Sequence, residues 1–146
     1  MLPVERTIVP YAIGVQRLVT MSPMTPVSTA AREMTDRHIG AVLVVDEGVL
    51  QGIFTERDAL TRVLALSRDP DATMIAEVMT RDPDTIGPDE TVAYALSIMN
   101  ERGYRHLPVI EGDRLIGIVS IRDLYRSIKS QMDADLVLLA ETLIQG

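Results

Sequence analysis

The chain has 146 residues, of which 47% are hydrophobic and 24% are charged, a composition typical of a globular fold. Its formal net charge is −7 and it contains no run of Lys and Arg, which argues against a nucleic-acid surface. There is no cysteine and there are only two histidines. This excludes disulfides and a thiol nucleophile, and because a zinc site would depend on carboxylates we expect no metal.

No apolar run approaches the roughly 20 residues that a helix needs to cross a bilayer. The N-terminus also lacks the basic start and apolar stretch of a signal peptide. We therefore expect a cytoplasmic protein that interacts with neither membrane nor nucleic acid.

The first part of the chain predicts a strand and a helix behind an irregular segment. Residues 1–16 contain two prolines and a glycine in a mostly apolar setting, and we expect them to run along the surface of the core. Residues 17–21 predict a short strand. A helix then begins at Thr25-Pro26, where a polar cap precedes a proline. Its apolar face comprises Val27, Ala30, Ala31 and Met34.

Two strands and a second helix follow. The apolar, β-branched run Ala41–Val45 predicts a buried strand, and residues 46–48 predict a turn into a second strand, Val49–Thr55. A helix is expected from Glu56 to about Leu66. Residues 68–78 then predict a linker and a short helix that introduce the second half of the chain.

The second half predicts the same order of elements. They are a strand near residues 84–86, a helix over 91–102, strands over 106–110 and 115–120, and a helix from Ile121. The two halves align without a gap: Gly52 aligns with Gly117, an offset of 65 residues (117 − 52), and Met34 aligns with Met99. A gapless internal repeat of this length indicates two duplicated units.

Each repeat ends a strand in the pattern Gly-hydrophobic-x-Ser/Thr-x-x-Asp, from Gly52 to Asp58 and from Gly117 to Asp123. One interpretation is a helix cap, in which the hydroxyl accepts from a backbone N–H and the aspartate accepts from the N–H of the capping residue. The other is an anion site, because Arg57 and Arg122 are cations in a first helical turn, where the helix dipole favours negative charge.

The repeat and its motif resemble the cystathionine-β-synthase (CBS) domain, here as a tandem pair, or Bateman module, over roughly residues 17–131. The resemblance implies an α/β (α+β) fold of two units, 17–67 and 79–131, each strand-helix-strand-strand-helix. It also implies a pseudo-twofold pair packed into one globule, with two clefts that bind adenosine-containing ligands. The first repeat departs from the family pattern at residues 13–15, where the second has a Val-Met-Thr typical of a CBS unit.

The resemblance also implies ligand-binding residues in each cleft. The hydroxyl and carboxylate of the motif would hold ribose, two strands would line adenine, and basic side chains would meet phosphates. In the second site the residues are Thr85, Ile86, Tyr104, Arg105, His106, Leu107, Pro108, Ser120, Arg122 and Asp123. In the first site they are Thr20, Met21, Ala41, Val42, Thr55, Arg57 and Asp58.

We expect the second site to be the stronger one. It has Arg105 and His106 where the first repeat has Gly40 and Ala41, and Glu56 would oppose a phosphate in the first site. The alternative is that His106 and Tyr104 pack against neighbouring residues and bind no ligand. Pro108 marks either an edge strand or an interrupted ladder whose carbonyls face a ligand.

Residues 132–146 predict a separate amphipathic helix with a wide apolar face. That face would cover the N-terminal segment of its own chain, a second copy of the chain, or a partner protein. CBS pairs often associate as flat twofold dimers, so the resemblance favours a homodimer.

The leading hypothesis is therefore a regulatory module that requires no cofactor. It would sense an adenine nucleotide such as AMP, ADP or ATP and signal through assembly or an unidentified protein partner. The alternative is a ligand-independent dimeric scaffold that binds proteins through its C-terminal helix. We expect no enzyme activity, because the sequence has no nucleophile elbow, Walker loop or metal-spaced histidines.

Overall fold

A computed structural model describes residues 2–145, which divide into two compact units. The first-repeat unit comprises residues 18–84. The second-repeat unit comprises residues 85–145 together with the N-terminal residues 2–17. Both units combine helices with a sheet, which confirms the predicted α/β fold class.

The first-repeat unit is built on a four-stranded sheet. Its elements are β1 (Thr20–Met21), α1 (Val27–Arg37), β2 (Ala41–Asp46), β3 (Val49–Thr55), α2 (Glu56–Asp58), α3 (Ile75–Val78) and β4 (Thr80–Arg81). A π-helical turn, Ala59–Leu64, continues α2. The strand order is β1-β2-β3-β4, with β1 parallel to β2 and the other pairs antiparallel. The core beneath the helices includes Val27, Met34, Val42, Phe54 and Ile75.

The second-repeat unit has the same framework with a smaller sheet. Its elements are a 3-10 turn (Pro3–Glu5), a π-type turn (Ile8–Ala12), α4 (Val92–Arg102), β5 (His106–Glu111), β6 (Arg114–Ser120) and α5 (Ile121–Gln145). The antiparallel pair β5-β6 keeps the register of β2-β3: His106 lies opposite Ser120 as Ala41 lies opposite Thr55. The core includes Ile8, Val92, Met99, Leu107 and Leu124.

The glycine of each motif lets another segment approach the strand that carries it. A Cβ on Gly52 would lie 2.6 Å from the carbonyl oxygen of Thr80, which belongs to the neighbouring strand β4. A Cβ on Gly117 would lie 2.8 Å from Oε1 of Gln16. The Gln16 amide accepts from the N–H of Ile118 at 2.9 Å and donates to its C=O at 3.0 Å. A side chain thus binds β6 where a short strand binds β3.

The N-terminal segment runs along the core of the second-repeat unit and contributes two buried side chains to it. Ile8 and Ile13 are buried in the core of the second-repeat unit. The N–H of Ile8 donates to the C=O of Glu90 at 2.9 Å. The prolines and glycine interrupt regular structure, but they do not prevent the isoleucines between them from covering the core.

Four predicted elements differ in their limits. The strand expected over residues 17–21 is reduced to β1, and the one expected near 84–86 is a single parallel bridge between Ile86 and Val109. The first helix begins at Val27, with Pro26 rather than Thr25 in the cap position. The expected C-terminal helix is the second half of α5, because no proline or glycine interrupts residues 121–145.

We expect Gly52→Ala to destabilise the protein by about 1–3 kcal/mol, because the new methyl group would overlap a backbone oxygen that cannot rotate away. Gly14→Ala is the matched control, since a Cβ there would meet no atom within 4 Å. Urea unfolding of both variants measures the difference. Equal stability of the two would contradict the role assigned to Gly52.

Candidate functional site

The motif of the second repeat forms a reciprocal cap at the start of α5. The N–H of Ser120 donates to Oδ2 of Asp123 at 2.8 Å, and the N–H of Asp123 donates to Oγ of Ser120 at 3.1 Å. The second oxygen, Oδ1, accepts from Nη1 of Arg126 at 3.3 Å. The Asp123 side chain is 22% exposed and that of Arg126 is 66% exposed. The carboxylate therefore caps the helix through one oxygen and keeps the other within reach of solvent.

Two cations lie beside this cap. The N–H of Ile121 donates to the C=O of Arg105 at 2.9 Å, so Arg105 is held next to the first turn of α5, which carries Arg122. Both arginines are exposed. His106, which is half-buried, lies opposite Ser120 in the β5-β6 pair. The fold thus gathers these predicted residues at the junction of β5, β6 and α5.

The other predicted residues of the second site have different environments. Ile86 and Leu107 belong to the buried core, Tyr104 packs against it, and Thr85 is exposed. The C=O of Pro108 accepts from the N–H of Ile86 at 3.0 Å, so this carbonyl takes part in backbone pairing with Ile86. Pro108 has no backbone N–H to donate to β6. The strand tolerates it because its partner Ile118 needs no such bond: both backbone groups of Ile118 point away from β5 and bind Gln16.

The motif of the first repeat forms the same reciprocal cap with one additional hydrogen bond. The N–H and the hydroxyl of Thr55 donate to Oδ2 of Asp58 at 3.0 and 3.1 Å, and the N–H of Asp58 donates to Oγ1 of Thr55 at 3.2 Å. Oδ1 of Asp58 lies 3.6 Å from Nε of Arg62, whose Nη1 also donates to the carbonyls of Val78 and Met79. Asp58 is only 6% exposed. Its oxygens therefore bind groups of their own unit.

Burial raises the pKa of the Asp58 carboxyl above its usual value. Desolvation is the largest cause, and it outweighs the hydrogen bonds from Thr55 and the charges of Arg62 and Arg57, all of which lower the pKa. The carboxylate of the first motif is thus held in an environment that disfavours its charge.

The remaining residues of the first site surround the same junction. Thr20 and Met21 form β1 beside β2, and Ala41 and Val42 are buried at the start of β2. The N–H of Glu56 donates to the C=O of Gly40 at 3.0 Å, which is the counterpart of the bond between Ile121 and Arg105. The same backbone bond therefore brings an arginine to the second site, whereas at the first it joins a glycine to an acidic residue.

Sequence reasoning missed two residues of these junctions. Arg62 lies four residues after Asp58, a helical ion-pair spacing that could have indicated it. Gln16 lies 102 residues from Ile118 and no local pattern indicates it. Among residues 2–145 no cluster of His, Cys, Asp and Glu side chains could hold a metal ion. No described helix, α5 included, is long and apolar enough to cross a membrane.

Comparison with known proteins identifies the family. The family model of the CBS domain matches residues 12–65 and residues 75–130. The chain belongs to the CBS domain family. It is a CBS pair, because the two matches correspond to the two repeats.

Similar CBS proteins occur in bacteria and plants. The CBS domain-containing protein YhcV of Bacillus subtilis is 34% identical over 108 residues, which cover 74% of this chain and 76% of YhcV. CBSCBSPB2 of Arabidopsis thaliana is 36% identical over 118 residues, which cover 80% of this chain. This chain spans only 22% of CBSCBSPB2 and 21% of its relative CBSCBSPB3.

Solved CBS structures share the fold. A CBS-domain containing protein from Agrobacterium tumefaciens is 34% identical with a TM-score of 0.73, covering 78% of this chain and 90% of that one. The CBS domain pair of protein MJ0100, in complex with 5′-methylthioadenosine and S-adenosyl-L-methionine, is 28% identical with a TM-score of 0.72, covering 80% and 91%. A hexameric CBS-CP12 protein from bloom-forming cyanobacteria is 27% identical with a TM-score of 0.70, covering 76% and 65%.

The raised pKa of Asp58 predicts a pH-dependent cost of stability. Because the folded pKa lies above the unfolded value, the free energy of unfolding should fall as the pH rises from about 4 through the folded pKa. Asp58→Asn removes this titration and keeps an oxygen for the Thr55 N–H. We therefore expect the variant to gain stability relative to the original chain between about pH 4 and pH 7. Urea unfolding across this range measures it, and parallel pH profiles would contradict it.

Proposed function

We propose that this CBS pair is a cytoplasmic regulatory module that binds an adenine nucleotide at the motif of its second repeat. The observation that carries the proposal is the backbone bond between Ile121 and Arg105, which holds a cation beside the partly exposed carboxylate of Asp123. A carboxylate next to exposed arginines matches the alternation of hydroxyls and phosphates along a nucleotide. The adenosine ligands of the MJ0100 pair support the adenosine part of the assignment.

Each polar residue has a chemical role in the proposal. Oδ1 of Asp123 accepts from the ribose hydroxyls in place of its exposed partner Arg126, while Oδ2 continues to cap α5. Arg105 and Arg122 bind phosphate, and the N-terminus of α5 adds the favourable end of a helix dipole. His106 lies opposite Ser120 of the motif in the β5-β6 pair. The protein needs no cofactor for this function.

The first site binds the same ligand more weakly or not at all. Asp58 is buried and its oxygens bind Thr55 and Arg62, so a ribose would have to displace groups of the fold. Glu56 adds a negative charge at the position where the second repeat has Ile121. One occupied site per chain is therefore expected at moderate ligand concentration.

The signal is passed on through assembly, and we propose that the chain forms a homodimer through the end of α5. Residues 132–145 are exposed along their whole length, and they include leucines at 136, 138, 139 and 143. Such a surface usually marks an interaction site. The hexameric CBS-CP12 protein supports assembly of CBS pairs in general. The exposed helix also supports a second candidate function, a ligand-independent scaffold.

Asp123→Asn should weaken adenine nucleotide binding roughly tenfold to more than a hundredfold, because a charged hydrogen bond is worth about 1.5–3 kcal/mol. The amide still offers an oxygen to the Ser120 N–H, so the helix cap survives. Isothermal titration calorimetry with AMP, ADP, ATP and S-adenosylmethionine measures the change.

Asp58→Asn is the matched control in the first repeat, and it should leave the tight site unchanged. Unaltered affinity in Asp123→Asn would exclude the ribose role, and failure of all four ligands to bind the original chain would favour the scaffold. Arg105→Ala should weaken ATP more than S-adenosylmethionine, since only ATP carries phosphates for the arginine.

Deleting residues 132–146 should leave both units folded and convert a dimer into a monomer. Both core clusters end before the deletion, and residues 132–145 are exposed. Each leucine buried in an interface contributes about 1.5–3 kcal/mol, and a micromolar dimer has only about 8 kcal/mol in total. Light scattering measures the mass, and a truncated chain that stays dimeric would contradict the role of this helix.

A further inference from the structure

An apolar groove opens between the helices of the first-repeat unit. Its volume is about 420 Å³, which is within the range of about 300–1,000 Å³ found for binding pockets. Two buried side chains of the core, Met34 and Phe54, form its floor. Its walls include Ala31, Ile39 and Ala59, and Thr35, His38 and Glu56 form an exposed polar rim.

The second repeat explains why the groove exists. The alanines at 31 and 59 correspond to Leu96 and Leu124 of the second repeat, and Glu56 corresponds to Ile121. In the second-repeat unit Leu124 is fully buried, and Leu96 and Ile121 pack against the core. The framework of a CBS unit therefore has room for two leucine side chains at these positions. The first repeat has alanine at both, and the unfilled space forms the groove.

The same chain carries an excess of leucine at its other end. We call the last turns of α5, residues 132–145, the tail. Met132, Leu136, Leu139 and Leu143 follow one another at spacings of four, three and four residues, so they form one stripe along the helix. Their exposed fractions are 54%, 62%, 55% and 71%. The groove lacks leucines and the tail presents leucines, and neither surface is covered by its own chain.

The size of the stripe indicates how it is used. Full burial of one such side chain corresponds to roughly 60–120 Å² of apolar area, so the stripe buries roughly 250–500 Å². A stable interface needs about 800 Å² from each partner. Two tails that pair only with each other would give about half of that. If each chain contributes both a tail and a groove, the area per chain roughly doubles and reaches the required value.

We propose that the tail of one copy docks in the groove of a second copy, and that the second copy returns the same contact. A chain with one tail and one groove satisfies both surfaces in a closed twofold dimer, in which no further copy can bind. The proposal rests on the homodimer proposed above and names the surface that its tail contacts.

The test fills the groove with the residues of the other repeat. Ala31→Leu with Ala59→Leu should leave a folded and equally or more stable unit, because the second repeat already accommodates leucine at both positions. The dimer dissociation constant should rise roughly a hundredfold or more. Ala93→Leu, at an exposed position on α4, is the matched control and should stay dimeric. Analytical ultracentrifugation measures the dissociation constants.

Cross-linking gives a second measurement that keeps the groove intact. The chain has no cysteine, so single cysteines can be introduced without background. A mixture of Thr35→Cys chains and Leu139→Cys chains should form mixed disulfide dimers on mild oxidation, and neither variant alone should cross-link efficiently.

The outcomes separate this proposal from the one on which it rests. A filled groove that leaves the dimer intact, or Leu139→Cys chains that cross-link with themselves, would overturn the docking and keep a tail-mediated dimer. A full-length chain that is monomeric at high concentration would overturn both. Dissociation of the filled variant with formation of the mixed disulfide would support tail and groove together.

Discussion

Both units depend on a close contact at the strand that carries the motif. Gly52 and Gly117 have no Cβ, and each allows a second segment to approach the backbone of this strand. In one unit the segment is β4, and in the other it is the side-chain amide of Gln16, which binds both backbone groups of Ile118. β4 follows the first repeat in the chain, and Gln16 precedes the second. Each sheet is therefore completed by a residue or segment from outside its own repeat.

This contact determines what the motif can do. It fixes the end of the strand, so the Ser or Thr that follows has a defined position and its aspartate can cap the next helix. Capping uses one carboxylate oxygen in each unit. The other oxygen lies beside an arginine in both units, but the Asp58 side chain is only 8% exposed, whereas that of Asp123 is 22% exposed. Cap and ligand site are therefore compatible interpretations of one motif, and burial decides which residue can serve both.

The sequence predicted what is local or repeated. The offset of 65 residues (117 − 52) anticipated that β2-β3 and β5-β6 share a register, because a gapless repeat conserves the spacing between strands. The motif was found because its residues lie in one short segment. The burial of Ile8 and the role of Gln16 could not be predicted, since they depend on contacts with distant residues that leave no periodic signal. The groove was missed for a similar reason: an alanine reveals a cavity only when its neighbours are known.

The helix α5 connects the two halves of the proposed function. Its first turn carries Arg122 and Asp123, and its last turns form the tail, which begins about 14 Å from Asp123 at 1.5 Å per residue. Because residues 121–145 form one uninterrupted helix, the motif and the tail belong to one element, which is the route that the proposed signal would take. A nucleotide changes assembly only if it binds the dimer and the monomer with different affinity. Because such coupling is reciprocal, docking of the tail must change nucleotide affinity by the same factor.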